Sequence, residues 1–315
     1  MSDSARIGSR VSDVFTKETL VEGAPAKLQC VEIAGQVFSL SSGFLRVAQL
    51  EDEWYEDLRD PAVVIDALAS RRSLGADLFT FWQRLPHAEP AYEYPLEWDK
   101  IAVLKITSYE HWWNRQIKSR IRTTIRKAER EGLVVREVAF DDDFVRGMTA
   151  IFNETPVRQG RKFWHYGKDF DTVKRQFSRY VHRERMIGAY LDGEMVGFVM
   201  LGDAGRYGLL GQILSSIRHR DKSLNYSLIA KSVELCASNG LEYLVYWYWG
   251  DDSLTEFKRR CGFEPVALPR YYIPLTPKGR IALRTGLHHG PVAWLPPSMK
   301  RLLKRWRAAW YEARQ

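Results

Sequence analysis

Three clusters of side chains in this 315-residue chain are of types that could grip a charged, activated substrate and move a proton. The first is Thr155-Pro-Val-Arg158-Gln-Gly160-Arg161-Lys-Phe-Trp164-His165-Tyr166-Gly167, dense in arginine, aromatic rings and glycine. Arg158 and Arg161 could hold a carboxylate or phosphate in a fork-like grip. His165 is a candidate general base because imidazole titrates near neutrality. A lone histidine is more often structural, so this role is an expectation to set against its surroundings. The second cluster is Arg218-His-Arg220-Asp-Lys222-Ser223-Leu-Asn225-Tyr226, whose cations could meet a phosphate by charge. The third is Phe257-Lys258-Arg-Arg-Cys261, in which Lys258 is either one more exposed cation or a working group.

The elements that must position these clusters are legible between Tyr207 and Phe263. Tyr207–Ser215 is an apolar run of strand length. After the basic turn, Leu224–Ser238 carries Leu228, Ile229, Val233 and Ala237 at helical spacing, and Asn239-Gly240 supplies a left-handed stop. Leu241–Trp249 reads as a second strand, aromatic and β-branched. Gly250-Asp-Asp-Ser253 turns the chain into a short helix, Leu254–Cys261, closed by Gly262-Phe263. Strand, crossover helix, strand and short helix make a βαβα unit with two parallel strands.

Here the residues resemble a known family. Asp252-Ser253-Leu254-Thr-Glu-Phe257-Lys258-Arg-Arg-Cys-Gly262-Phe263 is similar to the C-terminal half of GNAT acyltransferases, and in its details to the Fem-type branch that includes peptidoglycan aminoacyl-tRNA ligases (FemAB-like proteins). Ile121-Arg-Thr-Thr-Ile-Arg126-Lys127-Ala-Glu-Arg-Glu-Gly132-Leu-Val extends the resemblance, which covers about Arg120–Leu275. It implies an α/β (α+β) GNAT-like acyl-CoA N-acyltransferase fold in two tandem half-domains, the first degenerate. The implied activity is N-acyl transfer: an activated acyl or aminoacyl group moved onto an amine of a small molecule, sugar or peptide. Acyl-CoA, an acyl carrier or aminoacyl-tRNA would be the co-substrate, with no tightly bound cofactor. Such transfer needs a held carbonyl, a stabilised oxyanion, a base and a proton for the leaving group.

Two departures from the wider GNAT pattern bear on the donor. The glycine loop that presents N–H groups to a CoA pyrophosphate is replaced by Arg218–Tyr226. Arg218, Arg220, Lys222, Ser223 and Asn225 are therefore the expected donor contacts, joined by Phe257. Where many GNATs place a tyrosine that protonates the leaving thiolate, four residues before Gly262, this chain has Lys258. Fem-type ligases carry a similar Phe-Lys pair, implicated at the aminoacyl end of tRNA. The resemblance thus implies a cation at the leaving oxygen or oxyanion. Lys258, His165 and Tyr166 are the expected catalytic residues, and Arg158, Arg161, Trp164, Tyr246 and Tyr248 the expected acceptor contacts. Cys261, beside the terminal Gly-Phe, is read as a packed side chain. No Cys or His falls at metal-ligand spacing, no metal is expected, and His288-His289 reads as a Gly-bounded surface turn.

The remaining sequence sets the frame. The segments are expected as an arm over 1–23, the degenerate half over 24–106, a linking helix over 107–132, the acyltransferase half over 133–275 and a tail over 276–315. Strands are expected about Ala34-Gly35, at Ala76–Trp82 and at Lys100–Ile106, with a helix begun by Asp60-Pro61. Tyr109–Gly132 reads as one amphipathic helix with a basic outer face, either solvated or tracking phosphates. Phe170–Arg183 reads as another helix, and Asp192-Gly193 as a hairpin turn. Net charge is +8, with 11 Trp and 15 Tyr; a basic protein of this kind suits an anionic partner such as tRNA. Three separated cysteines suggest free thiols, and no apolar run is long enough to span a bilayer. A cytoplasmic location follows; the basic, tryptophan-bearing helix at 298–314 is expected either to make peripheral contact with the inner membrane face or a partner, or to dock its apolar stripe on the protein itself. A different class of reading is a non-catalytic GNAT-like module that binds RNA or anionic membrane through its basic helices.

Overall fold

The computed structural model describes residues 13–21, 24–158, 160–251 and 253–290. In chain order the strands and helices are β1 (Phe15–Val21), β2 (Ala24–Ile33), β3 (Gln36–Leu40), β4 (Val47–Leu50), α1 (Pro61–Ser70), β5 (Leu78–Trp82) and β6 (Leu96–Lys105). There follow α2 (Tyr109–His111), α3 (Ser119–Arg130), β7 (Val134–Val138), α4 (Asp142–Phe152), the short β8 (Val157–Arg158) and β9 (Arg161–Lys162), and α5 (Phe170–Phe177). Next come β10 (Glu184–Leu191), β11 (Glu194–Asp203), β12 (Tyr207–Ser215), α6 (Leu224–Ser238), β13 (Tyr243–Tyr248), α7 (Ser253–Arg260), β14 (Glu264–Pro274) and α8 (Pro277–Thr285). It divides into two units, one made of residues up to Trp98 with those from Leu268 onward, the other of Asp99–Ala267.

In the first unit the strands run β1-β2-β3-β4-β5, and β14 joins beside β5 through Arg270↔Trp82 to Pro274↔Leu78. The β4-α1-β5 passage makes a parallel pair, Val47↔Leu78 to Gln49↔Thr80. That is the strand-helix-strand echo expected of a degenerate half. Asp60 starts α1 as expected: its Oδ1 accepts from the Ala62 and Val63 N–H groups at 3.0 and 3.2 Å, and Pro61 takes the first turn where no N–H is needed. The core is Phe38, Phe79, Phe81, Leu68 and Tyr271. Arg270 is buried in a two-bond grip on Glu53, at 3.0 and 3.1 Å. At α8, Gly279 packs so close to the Asp77 carbonyl that a Cβ would lie 1.9 Å from it.

In the second unit the order is β6-β13-β12-β11-β10-β7. All neighbours are antiparallel except β12 and β13, which α6 connects. Alternate residues of β11 serve two layers: Val196, Val199 and Leu201 face the cluster that includes Ile121, Ile125, Leu228 and Val233, and Phe198 and Met200 face Phe144, Phe152 and Phe177. Helices α3 and α6 thus cover one face, α4 and α5 the other. The Asp192-Gly193 hairpin turn has φ +50° and +82°, the geometry of a type I′ turn.

Four expectations change. The region 107–132 is not one helix: α2 passes into a π-helical turn at Trp112–Gln116, Ile117 is extended, and α3 begins anew at Ser119. Arg122 donates to the Trp113 and Ile117 carbonyls, at 2.9 and 2.8 Å, satisfying groups the break exposes. The helix expected over Phe170–Arg183 ends at Phe177, and Val181–Arg183 is a separate 3-10 turn. Residues 15–21, expected in an unpatterned arm, form an edge strand, and over 15–18 both faces are exposed or partly so, which erases the alternation that marks a strand. The segment boundaries move as well: 99–132 belongs to the second unit and the chain from Leu268 to the first, since β14 pairs with β5. The expected amphipathic helix at 298–314 lies outside the described residues.

Candidate active site

The site grows from the one parallel pair of the second unit. β12 and β13 are joined over three residue pairs only, Tyr207↔Tyr243, Gly208↔Leu244 and Leu209↔Val245. Past that point β12 stays with β11 as far as Ser215↔Gly197. β13 stays with β6, taking one extra residue between Val245 and Tyr248. This bulge turns Trp247 to a φ of +48°, a left-handed conformation that costs a bulky residue about 1–2 kcal/mol. The two strands therefore part, and Gly211–Ser215 on β12 are half-buried where Tyr207–Leu210 are buried.

Both helices that follow these strands are held tightly. Gly208 lets α6 lie against β12, for a Cβ there would meet Cys236 Sγ at 2.5 Å. Burial pushes the Cys236 thiol up to about 12, so it packs as a small apolar group. At the far end, α7 is closed by Gly262 at φ +91°, and Trp112 Nε1 donates to the Cys261 carbonyl at 2.9 Å. The break in the helix at 112–117 thus pins the C-terminus of α7. Burial also raises the Cys261 thiol, which leaves it no nucleophilic role.

Lys258 projects from α7 into the bulged end of β13. It is 3 % exposed; its ammonium donates to the Tyr248 carbonyl at 2.7 Å and stands 4.5 Å from the centre of the Tyr246 ring. A cation is tolerated there by a carbonyl dipole and an aromatic face. Tyr246 is itself buried, which raises its phenol, so it stays neutral. Phe257 packs against Tyr226 of the first turn of α6, ring centres 5.1 Å apart, and Tyr226 also bonds Arg260. Tyr248 is half-exposed at the rim.

The α6 entrance is less basic than its sequence. Lys222 pairs with Glu131 at 3.1 Å, and Arg218 reaches Glu154 at 3.3 Å and Glu194 at 3.6 Å. Arg220 is exposed and has no carboxylate partner among the described residues. Ser223 is left-handed and makes no side-chain cap to α6. Asn225 Oδ1 and Ser227 Oγ are buried there without a hydrogen-bond partner. Buried polar atoms in this condition are uncommon and ask for a partner.

In the 155–167 loop, Arg158 and His165 are engaged with the protein itself. Arg158 donates to the Ser215 carbonyl at 3.0 Å and the Ile151 carbonyl at 2.8 Å, and pairs with Glu154 at 3.4 Å. Glu154 in turn accepts from the Ile217 N–H at 2.7 Å and the Ser216 hydroxyl at 2.5 Å. Arg158 thus fixes the end of β12 rather than reaching outward. His165 stacks on Phe152 at 4.5 Å and meets Phe163 and Phe177, in the layer of α4 and α5. Burial, helped by the Lys168 charge, pushes its pKa down to about 4. Its Nδ1 faces the Lys168 ammonium at 3.1 Å, so its lone pair is engaged. Arg161, Trp164 and Tyr166 are exposed.

The structure therefore brings Lys258, Phe257, Tyr246 and Tyr248 together, with Asn225 and Ser223 at the neighbouring helix start. Among the described residues no hydrogen bond or ring contact joins them to His165 or Arg158. Sequence reading passed over Tyr226 as Phe257's partner and Glu154 as the organiser of the β12 end. Neither carries a local pattern, since both act across long sequence separations. A separate open groove of about 750 Å³, lined by Arg136, Asp141, Arg146, Tyr190 and Met195, runs beside the edge strand β7 and contains none of the expected site residues.

No protein-family model matches the chain, and no curated protein sequence does. Solved structures match its fold. FemX superposes with a TM-score of 0.55 at 11% identity, covering 81% of this chain and 88% of FemX. The C-terminal DUF2156 domain assigned to a lysylphosphatidylglycerol synthetase of Agrobacterium fabrum gives 0.53 at 16% identity, covering 86% and 89%. L-PGS from Bacillus licheniformis gives 0.52 at 14% identity, covering 80% and 86%. At these identities the likeness is one of fold alone: the chain shares the fold of FemX and of the two lysylphosphatidylglycerol-synthetase-type structures, the Fem-type fold that its sequence resembles.

Proposed function

We propose that this chain is an aminoacyltransferase that takes an activated aminoacyl ester from tRNA and passes it to an amine, with the carbonyl held where β12 and β13 part. The observation that carries this reading is the opening of the strands after Leu209↔Val245, with the Lys258 ammonium buried at its edge. Backbone groups of β12 left unpaired on that side can hold the aminoacyl chain as a neighbouring strand would. Attack by the amine nitrogen forms the C–N bond, puts negative charge on the carbonyl oxygen, and expels the ribose oxygen. The proton lost by the amine passes to that leaving oxygen. Lys258 supplies a fixed positive charge in a site of low dielectric, where it counts for most as charge develops. Its bond to the Tyr248 carbonyl also sets the position of the bulge. His165, neutral and engaged by Lys168, is not given the base role in this reading.

A tRNA donor is favoured over acyl-CoA by the α6 entrance. There Lys222 and Arg218 are already paired with carboxylates, and the side chains of 218–223 stand where a pyrophosphate needs bare backbone. Two of the fold neighbours fit this choice, one named FemX and one for lysylphosphatidylglycerol synthesis. The exposed Arg115, Lys118, Arg120, Arg126 and Arg130 before and along α3 offer a surface for the RNA backbone. The same surface favours a second reading, a non-catalytic RNA-binding module.

Lys258 separates the two. In transfer from aminoacyl-tRNA to a panel of amines, Lys258→Ala should lose about 10²–10³ in rate with tRNA affinity kept. Lys258→Arg should recover part of it. An unchanged rate, or no turnover in the unaltered chain beside full tRNA binding, favours the module. Thermal unfolding tests the donor: an amide-linked aminoacyl-tRNA at a hundred times its dissociation constant should stabilise by about 2.7 kcal/mol, and CoA should not.

A further inference from the structure

Glu97, in β6, and His288 and His289, in the 3-10 turn Leu287–His289 that follows α8, bring three ligand-type atoms within 4.8 Å of one another. His288 Nε2 stands 2.8 Å from Glu97 Oε1, and His289 Nε2 stands 2.9 Å from Oε2 and 3.1 Å from Oε1. All three belong to the first unit. We propose that these side chains bind one divalent transition-metal ion of the zinc class, clipping the turn after α8 to β6.

The arrangement is a built one. The His288 side chain is 3 % exposed, with Tyr272 packed edge-on against its ring at 4.8 Å. Its Nδ1 lies 3.4 Å from the Ala282 carbonyl and can donate to it; in that tautomer Nε2 offers its lone pair on the Glu97 side. An imidazole oriented by a carbonyl behind it is the usual second layer of a metal-binding histidine. The two imidazole rings lie with centres 3.9 Å apart and both Nε2 atoms converge on the one carboxylate, so a divalent cation placed among them would take two ring nitrogens and a carboxylate oxygen as ligands.

Two imidazoles and a carboxylate are a donor set suited to zinc. With metal–ligand bonds of about 2.0–2.1 Å, neighbouring donor atoms of a tetrahedral site lie roughly 3.3 Å apart by geometry alone, so the present spacing need open only slightly. Glu97 and His289 are partly exposed, at 39% and 46%, which leaves the fourth position to water. Gly286 and Gly290, at φ +72° and +80°, bound the turn and let consecutive histidines face one side. The spacing rule that argued against metal looks for ligands on neighbouring turns of one segment; here the carboxylate arrives from 191 residues away.

The test is calorimetric titration of the full chain with Zn²⁺ in a non-coordinating buffer, after removal of metal by a chelator. His289→Asn, Glu97→Gln and the control His182→Asn are compared, each checked for folding by circular dichroism without metal. One equivalent should bind the unaltered chain and the control alike, and at least ~10-fold more weakly in both ligand variants. Co²⁺ titration of the unaltered chain gives a second readout, a visible band of tetrahedral cobalt that Zn²⁺ displaces. Absence of a one-equivalent isotherm and of the cobalt band, or equal affinity in a folded ligand variant, overturns the proposal. That result would mark the cluster as hydrogen-bonded imidazoles and a carboxylate only.

Discussion

Lys258 and His165 show how burial sorts residues that look alike in a sequence. Both are titratable, and both resisted assignment from neighbouring residues alone. Lys258 is buried against a carbonyl and an aromatic face at the bulged end of β13. His165 is buried among phenylalanines in another layer, with its pKa pushed down to about 4. This has a consequence for stability. Between about pH 6.5 and 4 the unfolded chain binds a proton at His165 that the folded chain does not. Stability held above pH 6.5 is therefore lost as pH falls toward 4. His165→Phe, which keeps the stack on Phe152, should flatten this dependence. Urea midpoints of both chains at pH 7 and pH 5 measure it: the unaltered chain should fall further than the variant, and equal falls would mean that His165 titrates normally.

The elements were legible where local chemistry decides them and obscure where distant contacts do. Asp60-Pro61, Asp192-Gly193 and Asn239-Gly240 each carry their own turn or cap geometry, and α1, the β10–β11 hairpin and α6 follow them closely. The break at 112–117 was hidden because Trp113, Ile117, Ile121 and Ile125 keep an unbroken helical spacing. What interrupts it is tertiary: Trp112 leaves its helix face to reach the Cys261 carbonyl, 149 residues away. β4, four residues long, was too short to show a period. Trp112→Phe tests the pin. Loss of one buried hydrogen bond should cost about 1 kcal/mol in chemical denaturation, and because the end of α7 carries Lys258, transfer activity should fall as well. A variant as stable and as active as the unaltered chain would show that α7 holds itself.

Across the chain, two units each contain a parallel strand pair bridged by a helix, β4-α1-β5 and β12-α6-β13. Among the described residues only the second has the long crossover helix, the bulged strand and the buried lysine, and the resemblance in sequence lies in that half. The tandem form was readable as a weak echo. The boundary at Leu268 was not, because a strand's partner across the chain leaves no mark on its own residues. The site was legible in the same measure: Phe257-Lys258 and the α6 entrance stand out by position, whereas the clamp of Arg158 and Glu154 on β12 exists only once the fold is made. The proposed transfer requires the carbonyl to sit where β12 and β13 part. A tRNA carrying a photoreactive aminoacyl group at its 3′ end, irradiated with the protein and mapped by mass spectrometry, locates it directly. Cross-links in peptides containing 211–215 and 246–258 are the predicted result; cross-links confined to other segments, with none in these two, would contradict it.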